Sequence, residues 1–162
     1  MLATGGHRRA ALGAGVSFKV SQSNAKPERA LTVLHVDDDP VNLRVVEEIL
    51  TAFGHRAVKA LSGAEALEQL GAQAFDVVLM DIHMPEMSGI EVLKRIRGSL
   101  GPERDTPVIA LTADILSREP SEYLALGFAG FVPKPVMVQG LIAAVTRAAG
   151  VAQPALRLRR AG

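Results

Sequence analysis

The chain has 162 residues with 18 Lys and Arg against 17 Asp and Glu, long enough for one domain with a proper core and too balanced for a global charge argument toward nucleic acid. Its cysteine count of 0 excludes disulfide frameworks and thiolate metal sites and points to no oxidising compartment, so the cytoplasm is expected. No apolar run approaches the roughly 18 residues of a membrane span, and no membrane insertion is expected.

Residues 1–29 are rich in Gly, Ser, Arg and Lys with little periodicity and read as a flexible leader or linker. Arg8-Arg9 and the stretch Ala10 to Phe18 have the outline of a twin-arginine signal, but Gly13, Gly15 and Ser17 break the apolar part, so a leader is preferred. The folded part is expected over residues 30–150. Leu31 to Val36 reads as the first strand and runs straight into Asp37-Asp38-Asp39-Pro40. Asp39 is placed to cap a helix that starts at Pro40, where a missing N–H costs nothing, with Leu43, Val46, Leu50 and Phe53 as its apolar stripe and Gly54 as its end.

Arg56 to Ala60 reads as a short second strand. Ser62 and Glu65 have capping-box spacing before a helix carrying Ala66, Leu67 and Leu70. Val77 to Met80 is an apolar run without Gly or Pro, a strand buried on both faces that ends on Asp81. Met84-Pro85 opens a loop, and Ile90, Leu93 and Ile96 predict a helix running to about Arg97. A polar loop from Gly98 to Asp105 leads to a fourth strand, Pro107 to Leu111, ending on Thr112-Ala113-Asp114. A helix is expected over Leu116 to Leu126, with Pro120 in its first turn or kinking it. Ala129 to Val132 is a fifth strand closed by Pro133-Lys134-Pro135, and Val138, Leu141, Ile142 and Val145 mark a last helix. Residues 151–162 carry Arg157, Arg159 and Arg160 without a core stripe and read as a basic, solvated tail.

Strands alternating with helices imply a doubly wound, five-stranded parallel sheet, an α/β fold in which every strand C-terminus lies on one edge, the edge where such sheets bind ligands. That edge collects Asp37, Asp38, Asp81, Thr112 and Lys134. Carboxylates crowded together repel strongly, so either one holds a proton or a cation neutralises them, and a purely oxygen donor set indicates a hard ion, Mg²⁺ above all. A hydroxyl and a compact ammonium group suit a phosphoryl group better than they suit the metal. Together these groups equip a carboxylate to attack phosphorus and become an aspartyl phosphate.

Asp37-Asp38 after the first strand, Asp81 with Met84-Pro85 and Gly89 after the third, Thr112-Ala113 after the fourth and Lys134-Pro135 after the fifth resemble the receiver domain of bacterial response regulators. The resemblance covers about Leu31 to Ala149 and implies the flavodoxin-like strand order 2-1-3-4-5 with five flanking helices. It implies that Asp81 is the phosphoacceptor, charged by a phosphohistidine of a sensor histidine kinase or a histidine phosphotransfer protein. Asp38 and Asp81 would ligate Mg²⁺ directly, Asp37 through a water, and the His83 backbone carbonyl would add a ligand. Thr112 and Lys134 would bind phosphoryl oxygens, Ala113 would leave room for the group, and the Lys134-Pro135 peptide bond would be cis. Switching would move Thr112 and Phe131 and reshape the face of the fourth helix, fifth strand and fifth helix for a downstream protein partner; for Phe131 a plain core aromatic is weighed equally. His83 and Asp114, two residues beyond Asp81 and Thr112, would tune phosphate lifetime.

The wording Asp81 to Met87 resembles receivers fused to histidine kinases, and Gly13 to Val20 has a fainter likeness to the closing strand of a kinase ATP-binding domain, for which a Gly-rich tail is the preferred account. The family reading is of a signalling module, not an enzyme acting on other substrates, and direct nucleic-acid binding is not expected. Alternatives are the receiver part of a hybrid histidine kinase, a hydrolase of the haloacid dehalogenase type using Asp37-Asp38-Asp39, and a metal-binding pseudo-receiver. His35, inside the apolar first strand, is expected to be a satisfied core histidine without a role.

Overall fold

The computed structural model describes residues 29–114 and 116–150. Five strands, β1 (Thr32–Val36), β2 (Arg56–Ala60), β3 (Val77–Asp81), β4 (Val108–Thr112) and β5 (Gly130–Pro133), alternate with five α-helices, α1 (Pro40–Ala52), α2 (Gly63–Ala72), α3 (Gly89–Arg97), α4 (Pro120–Leu126) and α5 (Val138–Ala148). All neighbours in the sheet are parallel and the order is β2-β1-β3-β4-β5, so the expected doubly wound architecture stands.

The central strands β3 and β4 are buried along their whole length, which is why their sequences are continuous apolar runs instead of alternations. Successive side chains leave opposite faces of the sheet and feed two cores. Leu34, Val36, Val78, Met80 and Ala110 pack on the side of Ala66, Leu70, Val92, Leu93 and Ile96. Val33, Leu79, Ile109 and Leu111 pack on the side of Val46, Leu50, Leu141 and Val145.

Helix starts follow the local chemistry. Asp39 caps α1, its side chain accepting from the Val41 N–H at 2.9 Å, and Pro40 takes the first helical position. The chain leaves α1 through Gly54, whose φ of 81° suits glycine. Ser62 accepts from the Glu65 N–H at 3.1 Å, but the Glu65 carboxylate accepts from the N–H of Leu61, one residue too early for the box expected there. A complete capping box closes instead at Ser88 and Glu91, opening α3 directly behind the loop that follows β3.

Several expectations need correction. The fourth helix begins at Pro120, not Leu116, because proline is tolerated at a first helical position and not four residues inside. The polar stretch from Gly98 to Asp105 is not loop throughout but contains a 3₁₀ turn over Pro102–Asp105. Phe53 and Val138 sit on the predicted stripes of α1 and α5 but are 41% and 43% exposed, since at the helix ends the sheet no longer covers them. The leader over 1–29, apart from Arg29, and the tail over 151–162 lie outside the described residues, and among the described residues no helix is long and apolar enough to cross a membrane.

At the rim opposite the strand C-termini, Arg97 closes the base. Its guanidinium donates to the backbone oxygens of Arg104, Thr106 and Gly127 at 2.8, 2.7 and 3.2 Å, tying the end of α3 to the 3₁₀ turn and to the turn after α4. On the same rim Asp76 accepts from the Thr32 N–H at 2.8 Å and pairs with Arg29 at 3.0 Å. His55 accepts from the Leu31 N–H through Nδ1 at 3.1 Å.

Candidate functional site

The predicted acids, hydroxyl and lysine stand where strands run out of apolar residues. β1 ends one residue before Asp37, β3 ends on Asp81, β4 ends on Thr112 and Lys134 follows β5. The parallel arrangement brings Asp37, Asp38 and Asp81 together, with one carboxylate oxygen from each within 4.8 Å of the others. Asp37 and Asp81 are buried while Asp38 is exposed, so the cluster is open to solvent on one side.

Lys134 reaches over from the far edge. Its Nζ lies 2.9 Å from Asp37 Oδ2 and 3.2 Å from Asp81 Oδ1, bridging the two buried carboxylates. Burial disfavours the ammonium ion, but the hydrogen bond to Asp37 and the charge of Asp81 outweigh it and raise the lysine's pKa. Burial also pushes the Asp81 carboxyl above its ordinary range, with Lys134 pulling the other way and Asp37 adding to the rise. The Lys134-Pro135 peptide bond is cis.

The other predicted residues are placed as follows. Thr112 is fully buried, and its hydroxyl accepts from the Asp114 N–H at 3.1 Å, so the hydroxyl is held by the loop after β4 and makes no hydrogen bond to Asp81 or Lys134. The Thr112 backbone oxygen accepts from the Lys134 N–H at 2.7 Å, locking the two strand ends side by side. The Asp114 carboxylate is turned to its own loop, accepting from the N–H groups of Leu116 and Ser117 at 3.3 and 3.0 Å, and hydrogen bonding from Ser117, its side chain first and its N–H second, lowers the pKa. His83 is an exposed loop residue whose backbone N–H donates to Asp81 Oδ1 at 3.4 Å. Phe131 is half-buried and stacks on Tyr123 with ring centroids 5.7 Å apart and planes at 15°, while Tyr123 in turn meets Phe128 edge-on. Asp39 is occupied as the α1 cap.

Two residues of the site escaped the sequence reading. Asn42, in the first turn of α1, donates to Asp37 Oδ2 at 3.2 Å; its place five residues after Asp37 behind a Pro-started helix was the available signal. His35 is buried as expected, but it is not satisfied: neither ring nitrogen has a hydrogen-bond partner among the described residues. Its Nε2 lies 4.0 Å from Asp37 Oδ2, too far for a hydrogen bond. Burial pushes its pKa down to about 4 against the pull of Asp37, so at neutral pH the ring is uncharged and the two groups form no ion pair.

Both buried imidazoles tie stability to pH with the same sign. For His35 and for His55, burial is the leading cause of a pKa below the ordinary 6.5, so the unfolded chain binds the extra proton more readily. Their contribution is complete above pH 6.5 and is lost as pH falls, for His35 down to about 4. Asp81, with its raised pKa, runs the opposite way and loses its contribution as pH rises, so the histidine part is isolated by comparison of variants. Urea unfolding across this range should show a shallower pH slope in His35→Leu than in the wild type, the difference amounting to at most about 3 kcal/mol.

The fold and the centre define a flavodoxin-like domain with a carboxylate and lysine cluster at its ligand-binding edge. The chain belongs to the response regulator receiver family: residues 33–146 match the family described as the response regulator receiver domain. Among solved structures it is similar to chemotaxis protein CheY4 of Vibrio cholerae, at 30% identity over 74% of this chain and 99% of that one with a TM-score of 0.67. It is likewise similar to the receiver domain of a sensor histidine kinase from Pseudomonas aeruginosa, described with a magnesium ion coordinated in its active site cleft, at 30% identity over 75% and 99% of the two chains with a TM-score of 0.68. Curated relatives include the signal transduction histidine-protein kinase BarA of Shigella flexneri, 36% identical over 107 residues and 66% of this chain. The aerobic respiration control sensor protein ArcB of Escherichia coli is 33% identical over 75% of the chain. The chain spans only 12% and 15% of the lengths of those two kinases. It is thus a receiver domain similar to those of hybrid histidine kinases.

Proposed function

We propose that Asp81 is the phosphoacceptor of a two-component phosphorelay. An Asp81 carboxylate oxygen attacks the phosphorus of a phosphohistidine, the P–O bond forms as the P–N bond breaks, and the leaving imidazole regains a proton. The observation that carries this reading is the bridge from Lys134 to both Asp37 and Asp81, which holds a cation beside the carboxylate that is to receive negative charge. Lys134 and the Thr112 hydroxyl, released from Asp114, then bind phosphoryl oxygens.

The oxygen-only cluster of Asp37, Asp38 and Asp81 fits a hard divalent ion, and these residues with the His83 backbone carbonyl would hold Mg²⁺. When bound, Mg²⁺ supplies charge neutralisation for the carboxylates and for the transferring phosphoryl oxygens. Phe131 follows Thr112 in the switch, and its stacking on Tyr123 gives that motion a route into α4. Leu124, Met137 and Val138 expose apolar surface around α4 and the start of α5, where a downstream protein would dock. His83 and Asp114 flank the entry path for water and set phosphate lifetime.

The donor is a histidine kinase or histidine phosphotransfer protein, and residues 30–150 act as the receiver, a cytoplasmic signalling module whose chemistry is confined to its own phosphorylation and dephosphorylation. The kinase relatives favour a second placement of the same module, as the receiver part of a hybrid histidine kinase. The hydrolase alternative is disfavoured by Asp39, which caps α1 where a second site carboxylate would be required.

Acetyl phosphate is the direct test. With Mg²⁺ the intact mass should rise by one phosphoryl group as acetate leaves, and chelation of the ion should prevent it. A mass that does not change, or that changes equally with the ion removed, would overturn the reading.

A further inference from the structure

We propose that His35 is a positioning residue for Asp37, its Nε2–H closing on Asp37 Oδ2 when Lys134 turns from that oxygen to a phosphoryl group. The inference rests on the phosphoacceptor reading of the site. His35 is the odd residue of β1, whose remaining interior residues, Val33, Leu34 and Val36, are fully buried and apolar. An imidazole with both nitrogens unpaired costs stability in such a place, and an aliphatic side chain would fill it without that cost.

Strand geometry says what the ring faces. Residues two apart project from the same face of a sheet, so His35 stands directly beneath Asp37. Oδ2 of Asp37 already accepts twice, from Lys134 Nζ at 2.9 Å and Asn42 Nδ2 at 3.2 Å, while Oδ1 accepts from the Asp39 N–H at 2.9 Å. His35 Nε2 waits at 4.0 Å from that same Oδ2. Withdrawal of Lys134 opens an acceptor position on a carboxylate that is 1% exposed, where an unfilled lone pair is expensive. A closure of about 1 Å, within reach of the soft terminal torsion of a histidine, makes a hydrogen bond there. The ring thereby keeps Asp37 in place at the moment its ammonium partner leaves, and a side chain that is a liability in the resting state gains its partner in the phosphorylated one.

The test uses the full chain with beryllofluoride and Mg²⁺ as the phosphoryl mimic, followed by calorimetric titration. His35→Leu should bind about 10-fold more weakly than the wild type while its unfolding midpoint without ligand is no lower, and His35→Gln, which restores a donor, should recover most of the affinity. In the wild type, NMR should show the His35 ring N–H proton moving downfield when the complex forms, a signature that requires no variant to fold. Equal affinity in His35→Leu, or an unmoved ring proton, would overturn the inference while leaving the phosphoacceptor reading intact. A wild type that takes up no beryllofluoride would sink both.

Discussion

Replacement of Asp81 by Asn is expected to abolish phosphorylation by acetyl phosphate without unfolding the protein. The amide has the shape of the carboxylate and can keep its place at the tip of β3, where Asp81 is paired with Leu111 of β4 and the preceding Met80 with Val36 of β1. What it loses is the anionic oxygen that the proposed phosphoacceptor role requires. Stability should hold or rise slightly, because burial already disfavours the Asp81 charge and Asp37 adds repulsion, leaving Lys134 free to serve Asp37 alone. The two readouts should therefore separate: no mass shift in the variant, and a urea midpoint at neutral pH no lower than that of the wild type. Mg²⁺ should also stabilise the wild type more than the variant, since a ligand that binds the folded state raises its stability by an amount that grows with the logarithm of its affinity. A phosphoryl group retained on Asp81→Asn would move the acceptor role to another residue, Asp38 being the exposed carboxylate of the cluster.

Gly89→Ala should be the most damaging small substitution near the site. Gly89 opens α3, and its N–H donates to the Ile82 backbone oxygen at 3.0 Å, folding the loop back against the end of β3. A Cβ there would overlap the Asp81 carbonyl oxygen and lie 2.9 Å from Met80 Cγ and 3.0 Å from the Asp81 carbonyl carbon. Two of these three atoms belong to backbone locked into the sheet, so relief must come from displacing α3 or the strand tip that carries Asp81. A loss of about 3 kcal/mol in urea unfolding is expected, the upper end for overpacking, together with weaker phosphorylation. Gly140→Ala is the control: it lies inside α5, nothing stands within 4 Å of its added Cβ, and it should gain about 0.5–1 kcal/mol. If both variants lose stability alike, the close approach is not the cause.

The features legible in the sequence were those set by short-range rules. Short apolar runs without Gly or Pro, such as Val77 to Met80, read as buried strands, and the parallel connection then fixes where Asp37, Asp81, Thr112 and Lys134 emerge. The Asp39-Pro40 helix start needs nothing beyond its own turn. What stayed hidden depends on tertiary neighbours. Phe53 and Val138 keep the helical period but lie beyond the reach of the sheet, and the Glu65 carboxylate turns to Leu61 instead of closing its box. Periodicity marks His35 as an inward residue and says nothing of whether its nitrogens find partners. The threefold reach of Arg97 to backbone oxygens joins positions up to 30 residues apart, which no local pattern announces.

The alternation of strand and helix has a consequence for splicing. Each strand climbs toward the acidic edge and each helix descends from it, so the described segment enters at the foot of β1 and leaves at the foot of α5, on the face that Arg97 and Asp76 close. A polypeptide grafted at either end is thereby steered away from the aspartates. The same unit can be inserted as a cassette into a much larger chain, with its carboxylate edge left clear.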